Sequence, residues 1–298
     1  MLNVYGYIQP DLEMNRYIQR HTCSDFRYCF TCRSCTIECP VNIFTGRLNP
    51  VRLVRLASFG LRDELIRSRE IWYCLGCGRC SNICPMNVKP HRLISSMRCE
   101  AINEGLISPD IGRNIFELFV QFHRRRLQVV HMCINGEEVD QDSLEVWDSY
   151  GYIPKQQMEG AVPFVLGNVQ ARRSFSDFKG IPTEISLCLT CRECSNTCPV
   201  GLETDVFDPL FFIRAVALGL RDEVLSIPSM WLCIECETCS NTCAQGVKGH
   251  LIMKRLKELA IETSVLEKGF LHKWNGYQKQ LFDVLLNKVD LVLERFRL

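Results

Sequence analysis

The pattern of apolar and polar positions predicts short helices joined by polar loops. Apolar residues recur at helical spacing over residues 91–107 and again over 251–266. Two other segments, PVRLVRLASFG at 50–60 and PLFFIRAVALG at 209–219, each follow Asn or Asp, open on proline and end on glycine, as capped helices do. Hairpin signals are scarce, so the pattern predicts a mostly α-helical protein.

The two proline-led segments differ in how much water they can face. The first carries Arg52 and Arg55 on a polar face, whereas the second is apolar almost all round and is expected to be buried on every side. A short helix is expected near Asp63 and again near Asp222. A longer amphipathic helix is expected over residues 267–298, where it would complete a second core.

Sixteen of the 19 cysteines fall into four copies of the spacing C-x2-C-x2-C-x3-C. The copies are Cys29, Cys32, Cys35, Cys39; Cys74, Cys77, Cys80, Cys84; Cys188, Cys191, Cys194, Cys198; and Cys233, Cys236, Cys239, Cys243. Bacterial ferredoxins bind [4Fe–4S] clusters with this spacing, because three cysteines on one short loop can surround a cluster. The four copies therefore predict four [4Fe–4S] clusters.

The fourth cysteine of each copy is expected to serve the neighbouring cluster, as in two-cluster ferredoxins. The predicted ligand sets are Cys29, Cys32, Cys35 with Cys84; Cys74, Cys77, Cys80 with Cys39; Cys188, Cys191, Cys194 with Cys243; and Cys233, Cys236, Cys239 with Cys198. Such crossing would hold the two clusters of a pair close together, as electron transfer requires.

Other uses of cysteine fit the pattern less well. Structural zinc sites usually take two C-x2–4-C knuckles separated by a longer loop. A disulfide framework belongs to oxidising compartments, whereas the first 20 residues lack the apolar run of a signal peptide. Cys23, Cys99 and Cys133 lie outside the four copies and are predicted to be small buried hydrophobes.

The second half of the chain repeats the first at an offset of 159 residues. Residues 29–84 align without a gap to residues 188–243, with 23 identities in 56 positions, 15 of them outside cysteine. The run GLRDE is preserved whole at 60–64 and 219–223. A single register over this length indicates an internal duplication.

The duplication predicts two tandem α-helical ferredoxin-like modules, each holding two [4Fe–4S] clusters. The first module is placed at 1–140 and the second at 181–298. Residues 141–180 are predicted to be a linker, because the chain around 135–154 is acidic and rich in turn-forming residues.

Two pairs of large side chains recur in register beside the cysteines. Trp72 and Trp231 are predicted to be core anchors that shield the clusters from water. His91 and His250 are predicted to have structural roles, because sixteen cysteines already supply every ligand that four clusters need.

Charge and hydropathy narrow the classes of function. The formal net charge is +1, but an oxidised cluster with four thiolates carries about −2, so the loaded protein would be acidic. Nucleic-acid binding is therefore not expected, despite the basic run at 124–126. The most apolar stretch, 209–220, is too short to span a bilayer. A cytoplasmic protein is expected, and docking to a membrane-bound partner stays open.

The motif P-x-x-L-x-R-x-x-x-x-G-L-R-D-E-L at 50–65, followed by W-x-C-x-x-C-x-x-C-x-x-x-C-P at 72–85 and V-K-P at 88–90, resembles the C subunit of heterodisulfide reductases. The pattern recurs, with substitutions, at 209–243. The resemblance implies an electron-transfer subunit between a flavin-bearing A subunit and a B subunit that reduces a disulfide. A usual C subunit has two cysteine motifs, so this chain resembles two C subunits fused.

The sequence contains no catalytic site of its own for that chemistry. The resemblance implies that the B subunit binds its clusters through Cys-Cys-Gly motifs, and this chain has no adjacent cysteine pair. No G-x-G-x-x-G motif follows a strand, so no flavin or nucleotide site is expected. The prediction is a relay of single electrons through four clusters. An iron–sulfur subunit of a flavin dehydrogenase that feeds a quinone pool, a stand-alone polyferredoxin and a zinc-stabilised scaffold stay open.

The residues between the cysteines suggest different potentials for the two modules. Gly76, Gly78 and Arg79 occupy the second copy, whereas Glu193, and Glu235 with Glu237, occupy the third and fourth. Negative charge opposes the addition of an electron, so lower potentials are expected in the second module. The alternative is that these glutamates are solvated and have little effect.

Overall fold

The structure is a computed structural model, and it describes residues 9–147, 178, 180–202, 204–267 and 269–294. Over these ranges the chain forms helices and loops without a β-strand, which confirms the predicted mostly α-helical fold. The α-helices are α1 Leu12–Thr22, α2 Ser34–Ile37, α3 Pro40–Thr45, α4 Pro50–Ser58, α5 Arg62–Ile66, α6 Glu70–Tyr73, α7 Arg79–Asn82, α8 Pro90–Asn103, α9 Pro109–Asn135, α10 Gln141–Glu145, α11 Glu193–Asn196, α12 Pro209–Ala217, α13 Arg221–Val224, α14 Thr238–Thr242, α15 Gly249–Glu262 and α16 Phe270–Glu294. Short 3₁₀ helices lie at Phe26–Tyr28, Ile185–Leu187 and Pro228–Leu232.

The described residues form two compact units. Those up to Phe119, together with those from Phe282 onward, form the first unit, and those from Val120 to Leu281 form the second. The first unit carries the first two cysteine motifs and the second unit the last two. The unit boundaries fall inside α9 and α16, whereas the sequence suggested a boundary near residue 140. Most of the predicted linker, 148–177, lies outside the described residues.

Helix α4 begins and ends as the sequence predicts. The Asn49 side chain accepts a hydrogen bond from the Arg52 backbone N–H at 3.2 Å, and Pro50 takes the first helical position. The helix is followed by Gly60, whose φ of +73° lies in the left-handed region. A Cβ atom there would lie 2.0 Å from the Asp11 carbonyl oxygen. The close approach of α1 therefore requires glycine at this position.

Helix α12 is the duplicated counterpart of α4. Its N-cap, Asp208, accepts a hydrogen bond from the Leu210 backbone N–H at 2.9 Å. Six of its nine residues are buried, while Phe211 and Arg214 are half-buried. The helix packs against α13 and α15 within the second unit, so nearly all of its apolar surface is covered, as predicted.

The last helix is shared between the units, which the sequence did not predict. From Phe282 onward it belongs to the first unit, so residues 267–298 do not serve the second core alone. Asp290 accepts a hydrogen bond from the Tyr73 hydroxyl at 2.6 Å and forms an ion pair with Arg47. These contacts join positions more than 200 residues apart.

No helix in the described part of the chain is long and apolar enough to cross a membrane.

Candidate iron–sulfur sites

The four cysteine loops share one backbone conformation. The first cysteine of each loop is extended, with φ between −57° and −71° and ψ between 111° and 123°. The residues two and four positions later all have left-handed φ, between +53° and +74°. These are Thr31 and Arg33, Gly76 and Gly78, Thr190 and Arg192, and Glu235 and Glu237.

Six of these eight positions hold residues other than glycine, for which left-handed backbone is uncommon. Thr31 and Thr190 are β-branched, which makes a positive φ still less favourable. Strain of this kind costs about 1–3 kcal/mol per residue and concentrates at functional sites. The same strained geometry in all four loops indicates that each loop is shaped for the same task.

The loop geometry points backbone donors at cysteine sulfurs. The Gly76 backbone N–H donates to Cys74 Sγ at 3.4 Å, and the Glu235 backbone hydrogen-bonds Cys233 in the matching place. The Val88 backbone N–H donates to Cys84 Sγ, also at 3.4 Å. Successive N–H groups in such turns form concave sites that favour negative charge.

The fourth cysteine of a motif lies at a start of backbone with free donors. Cys39 is the N-cap of α3, and the backbones of Asn42 and Val41 hydrogen-bond its sulfur. Cys198 receives the same two contacts from the duplicated positions, Gly201 and Val200. These donors stabilise a thiolate, which is the form that binds a metal.

In the first unit two cavities are each bordered by four cysteines from two loops. The first has a volume of about 370 Å³, and the second has a volume of about 340 Å³. The cysteines of the first are Cys29, Cys32, Cys35 and Cys84; those of the second are Cys74, Cys77, Cys80 and Cys39. Each cavity thus takes three cysteines from one loop and the fourth cysteine of the other.

The second unit repeats this arrangement around the fourth loop. A cavity of about 350 Å³ is bordered by Cys233, Cys236, Cys239 and Cys198. For the remaining predicted set, Cys188 and Cys194 lie close enough to interact electrostatically. The crossing of Cys243 into that set stays a prediction.

The chemistry of these cavities fits an iron–sulfur group. Thiolate is the soft ligand that such clusters take. Burial raises the pKa of the Cys35 thiol to about 11 and the pKa of Cys39 and of Cys198 to about 12. Such thiols ionise only next to positive charge, which iron supplies. Within the described ranges, no group of three or more His, Cys, Asp or Glu is arranged to hold a single metal ion.

Two cations at duplicated positions bind the backbone of the second and fourth loops. The Arg98 guanidinium donates to the carbonyl oxygens of Ile71, at 2.6 Å, and Cys74. Lys257, 159 positions later, donates to the Cys233 carbonyl at 2.7 Å and to Glu235 Oε1 at 3.0 Å. The sequence analysis missed both, although their identical offset was a signal that could have found them.

The histidines and tryptophans that recur in register take similar places in both units. The backbone N–H groups of His91 and His250 donate to the hydroxyls of Ser81 and Ser240, each at 3.2 Å. Trp72 and Trp231 are buried, as predicted for core anchors. Their indole N–H groups have no hydrogen-bond partner among the described residues.

The three cysteines outside the motifs do not behave alike. Cys133 is half-buried, but Cys23 and Cys99 are exposed, so the prediction of small buried hydrophobes is wrong for these two. Both lie at the water-facing side of helical segments, Cys23 just after α1 and Cys99 within α8. Hydrophobicity alone did not determine their positions.

Comparisons with known proteins agree with the cysteine motifs. Residues 27–89 match the family described as 4Fe-4S dicluster domain, and residues 185–201 match the 4Fe-4S binding domain. The C subunit of the H(2):CoB-CoM heterodisulfide,ferredoxin reductase of Methanothermobacter thermautotrophicus is 34% identical over 102 residues. Its counterpart from Methanothermobacter marburgensis gives the same identity over the same length.

Each of these alignments covers 33% of this chain and 53% of the relative, so the chain spans about half the length of the relatives it matches. No solved structure matches. The resemblance to the C subunit of heterodisulfide reductases is confirmed, and the chain carries 4Fe–4S-binding domains. An iron–sulfur electron-transfer role follows from these domains.

Proposed function

We propose that this chain, similar to the C subunit of heterodisulfide reductases, relays single electrons through four [4Fe–4S] clusters between two partner proteins. One observation carries the proposal: three cavities are each bordered by three cysteines of one loop and the fourth cysteine of its neighbour. The common backbone of all four loops extends the assignment to the set of Cys188, Cys191, Cys194 and Cys243.

The proposed ligands are the four crossed sets predicted from the sequence. A bound [4Fe–4S] cluster accepts and releases one electron at a time. Neighbouring sets in the first unit are in contact, because Cys35 of one set and Cys80 of the other pack in the same buried group with Val51. The crossing therefore brings two sites within reach of each other.

The residues around the cavities would hold and tune the clusters. Backbone N–H groups at Gly76 and Val88 favour negative charge on cysteine sulfur, and so favour an added electron. Buried Trp72 and Trp231 exclude water from the second and fourth loops. Potentials are therefore set by ligation, hydrogen bonding and burial.

Each unit exposes one end of its pair of sites. Cys32 and Cys191, at duplicated positions, are the exposed cysteines of their motifs. Around them the chain exposes apolar side chains that also match at an offset of 159: Tyr28, Phe30 and Ile43 in the first unit, and Leu187, Leu189 and Leu202 in the second. We call these the first and second apolar faces.

We assign the two apolar faces to the two partners of the complex. Exposed apolar groups beside a redox centre fit protein partners that must approach closely. The partners proposed are an A-like flavin subunit and a B-like catalytic subunit that reduces a disulfide, in the cytoplasm. Two equivalent faces on one chain fit a conductor with two ends, whose catalytic chemistry belongs to other chains.

Affinity purification from the native host under anoxic conditions tests this function. The wild-type chain is expected to retain a flavin-containing protein and a protein with Cys-Cys-Gly motifs. Phe30→Glu should release one of them and Leu189→Glu the other. Ile261→Glu changes an exposed apolar residue outside both faces and should release neither. A chain that purifies alone would contradict the proposed complex and favour a free electron carrier.

A further inference from the structure

A buried guanidinium lies beside the fourth cysteine loop. The Arg126 side chain, on α9, is 1% exposed. It donates to the Leu232 carbonyl at 3.1 Å and to Gln278 Oε1 at 2.8 Å, and its Nη1 lies 3.3 Å from His123 Nδ1. Its Nε has no hydrogen-bond partner among the described residues.

All of these neighbours are neutral. Burial, and then the charge of Arg126, keep the pKa of His123 well below its usual value, so that ring is uncharged. The rings of Phe122 and Trp274 lie 5.6 and 5.9 Å from the guanidinium carbon. No carboxylate of the described residues forms an ion pair with Arg126. A buried charge without a partner is strongly destabilising, by several kcal/mol.

The nearest group that can balance this charge is in the cysteine site. Leu232, whose carbonyl accepts from Arg126, directly precedes Cys233. Arg126 and the Cys233 thiol interact electrostatically, and the thiolate would favour the charged guanidinium. The other cation at this loop, Lys257, is already paired with Glu235. Arg126 is therefore the cation whose balance is still missing.

We propose that Arg126 supplies the counter-charge of the cluster held by Cys233, Cys236, Cys239 and Cys198, and raises its reduction potential. This inference rests on the proposed function, because it needs a cluster at that site. A cation in a water-poor environment favours the more negative, reduced state. Arg126 acts on the cluster as a positioning residue for charge.

The proposal reverses the expectation from the glutamates of the fourth loop. Glu235 is paired with Lys257 at 3.0 Å and so adds little net negative charge. Arg126, in contrast, adds one uncompensated positive charge. The fourth-loop cluster is therefore expected to be easier to reduce than the sequence alone indicates.

Arg126→Met tests this in the full chain, loaded with iron and sulfide under anoxic conditions. An EPR-monitored redox titration should show one signal moving to lower potential while the others stay in place. The expected change is about tenfold or more in the equilibrium for reduction, which for one electron is about 59 mV. The signal that moves should be the one missing from Cys236→Ser. Arg126→Lys keeps the charge and should restore the wild-type potential.

Arg125→Met is the matched control. Arg125 is also buried on α9, at 4% exposed, but it donates to the carbonyls of Asp142 and Val146. Its loss should leave every potential unchanged. Should Arg126→Met fail to load clusters, Arg126→Gln, which is neutral but can still donate to Leu232, decides by the same shift.

Three outcomes would overturn the inference or its premise. Four clusters with unchanged potentials in the neutral variants would overturn the role of Arg126 and leave the proposed function intact. Failure of both neutral variants to load, with Arg126→Lys loaded, would show a folding role alone and also overturn it. A wild-type chain that binds no [4Fe–4S] cluster would instead remove the proposed function itself.

Discussion

Cys84 and Cys35 come from different motifs, yet they border the same cavity and interact electrostatically. Cys39 and Cys74 make the reciprocal pair at the neighbouring cavity. The loops therefore exchange their fourth cysteines, as the spacing predicted. In consequence, the motif in which a cysteine lies does not identify the site it serves.

Cys84→Ser should damage the site of the first loop although it lies in the second motif. We expect its EPR spectrum, and its loss of about a quarter of the iron, to match those of Cys32→Ser. They should differ from those of Cys77→Ser, which affects the neighbouring site. Cys99→Ser, at an exposed cysteine outside the motifs, should keep all of its iron. A Cys84→Ser spectrum that matched Cys77→Ser would exclude the crossing.

Gly60→Ala should destabilise the first unit by about 2–4 kcal/mol, since a left-handed alanine costs about 1–2 kcal/mol and the overlap adds more. The added Cβ would lie 2.0 Å from the Asp11 carbonyl oxygen. The measurement is the rate at which cluster absorbance is lost in guanidinium chloride.

Gly46→Ala is the control for this change. Gly46 has a similar φ, +68°, but an added Cβ would meet nothing within 4 Å. Only the backbone cost of about 1–2 kcal/mol is expected. Equal loss rates for the two variants would show that the contact with Asp11 is unimportant.

His123 should make the second unit less stable in acid. Its pKa is held well below 6.5 by burial and by Arg126, so below about pH 6.5 the unfolded chain binds a proton that the folded chain does not. Stability therefore falls as pH falls, by up to about 1.4 kcal/mol per pH unit. His123→Gln should reduce this slope by that amount, measured by denaturant unfolding at several pH values.

His131→Gln provides the comparison, because His131 is exposed on the same helix. Its slope should equal that of the wild type. If His123→Gln also kept the full wild-type slope, the buried ring would not be the source of the acid sensitivity.

The sequence predicted those features that depend on local chemistry. Asn49 and Pro50 start α4 where the sequence places it, because capping and a proline's fixed φ act within one turn. The cysteine spacing likewise predicted which four sulfurs border each of three cavities. Local signals of this kind survive whatever packs around them.

Features that depend on distant packing were missed. Asp290 pairs with Arg47, and Arg126 reaches Leu232 from another helix, and no periodicity or spacing joins such positions. The paired Lys257 also alters the meaning of Glu235, which looked like a source of negative charge in the sequence alone. Electrostatics depends on neighbours in space, so the potentials inferred from the loops were the weakest of the predictions made from sequence.

Reductive titration of the wild-type chain tests the central claim most directly. The chain is loaded under anoxic conditions, its iron and sulfide are measured, and it is reduced stepwise while EPR spectra are recorded. We predict about 16 iron atoms and about four electrons per chain, reversibly taken up at [4Fe–4S] clusters. A loaded chain that takes up two electrons or fewer, or that binds zinc in place of iron, would contradict a relay of four clusters.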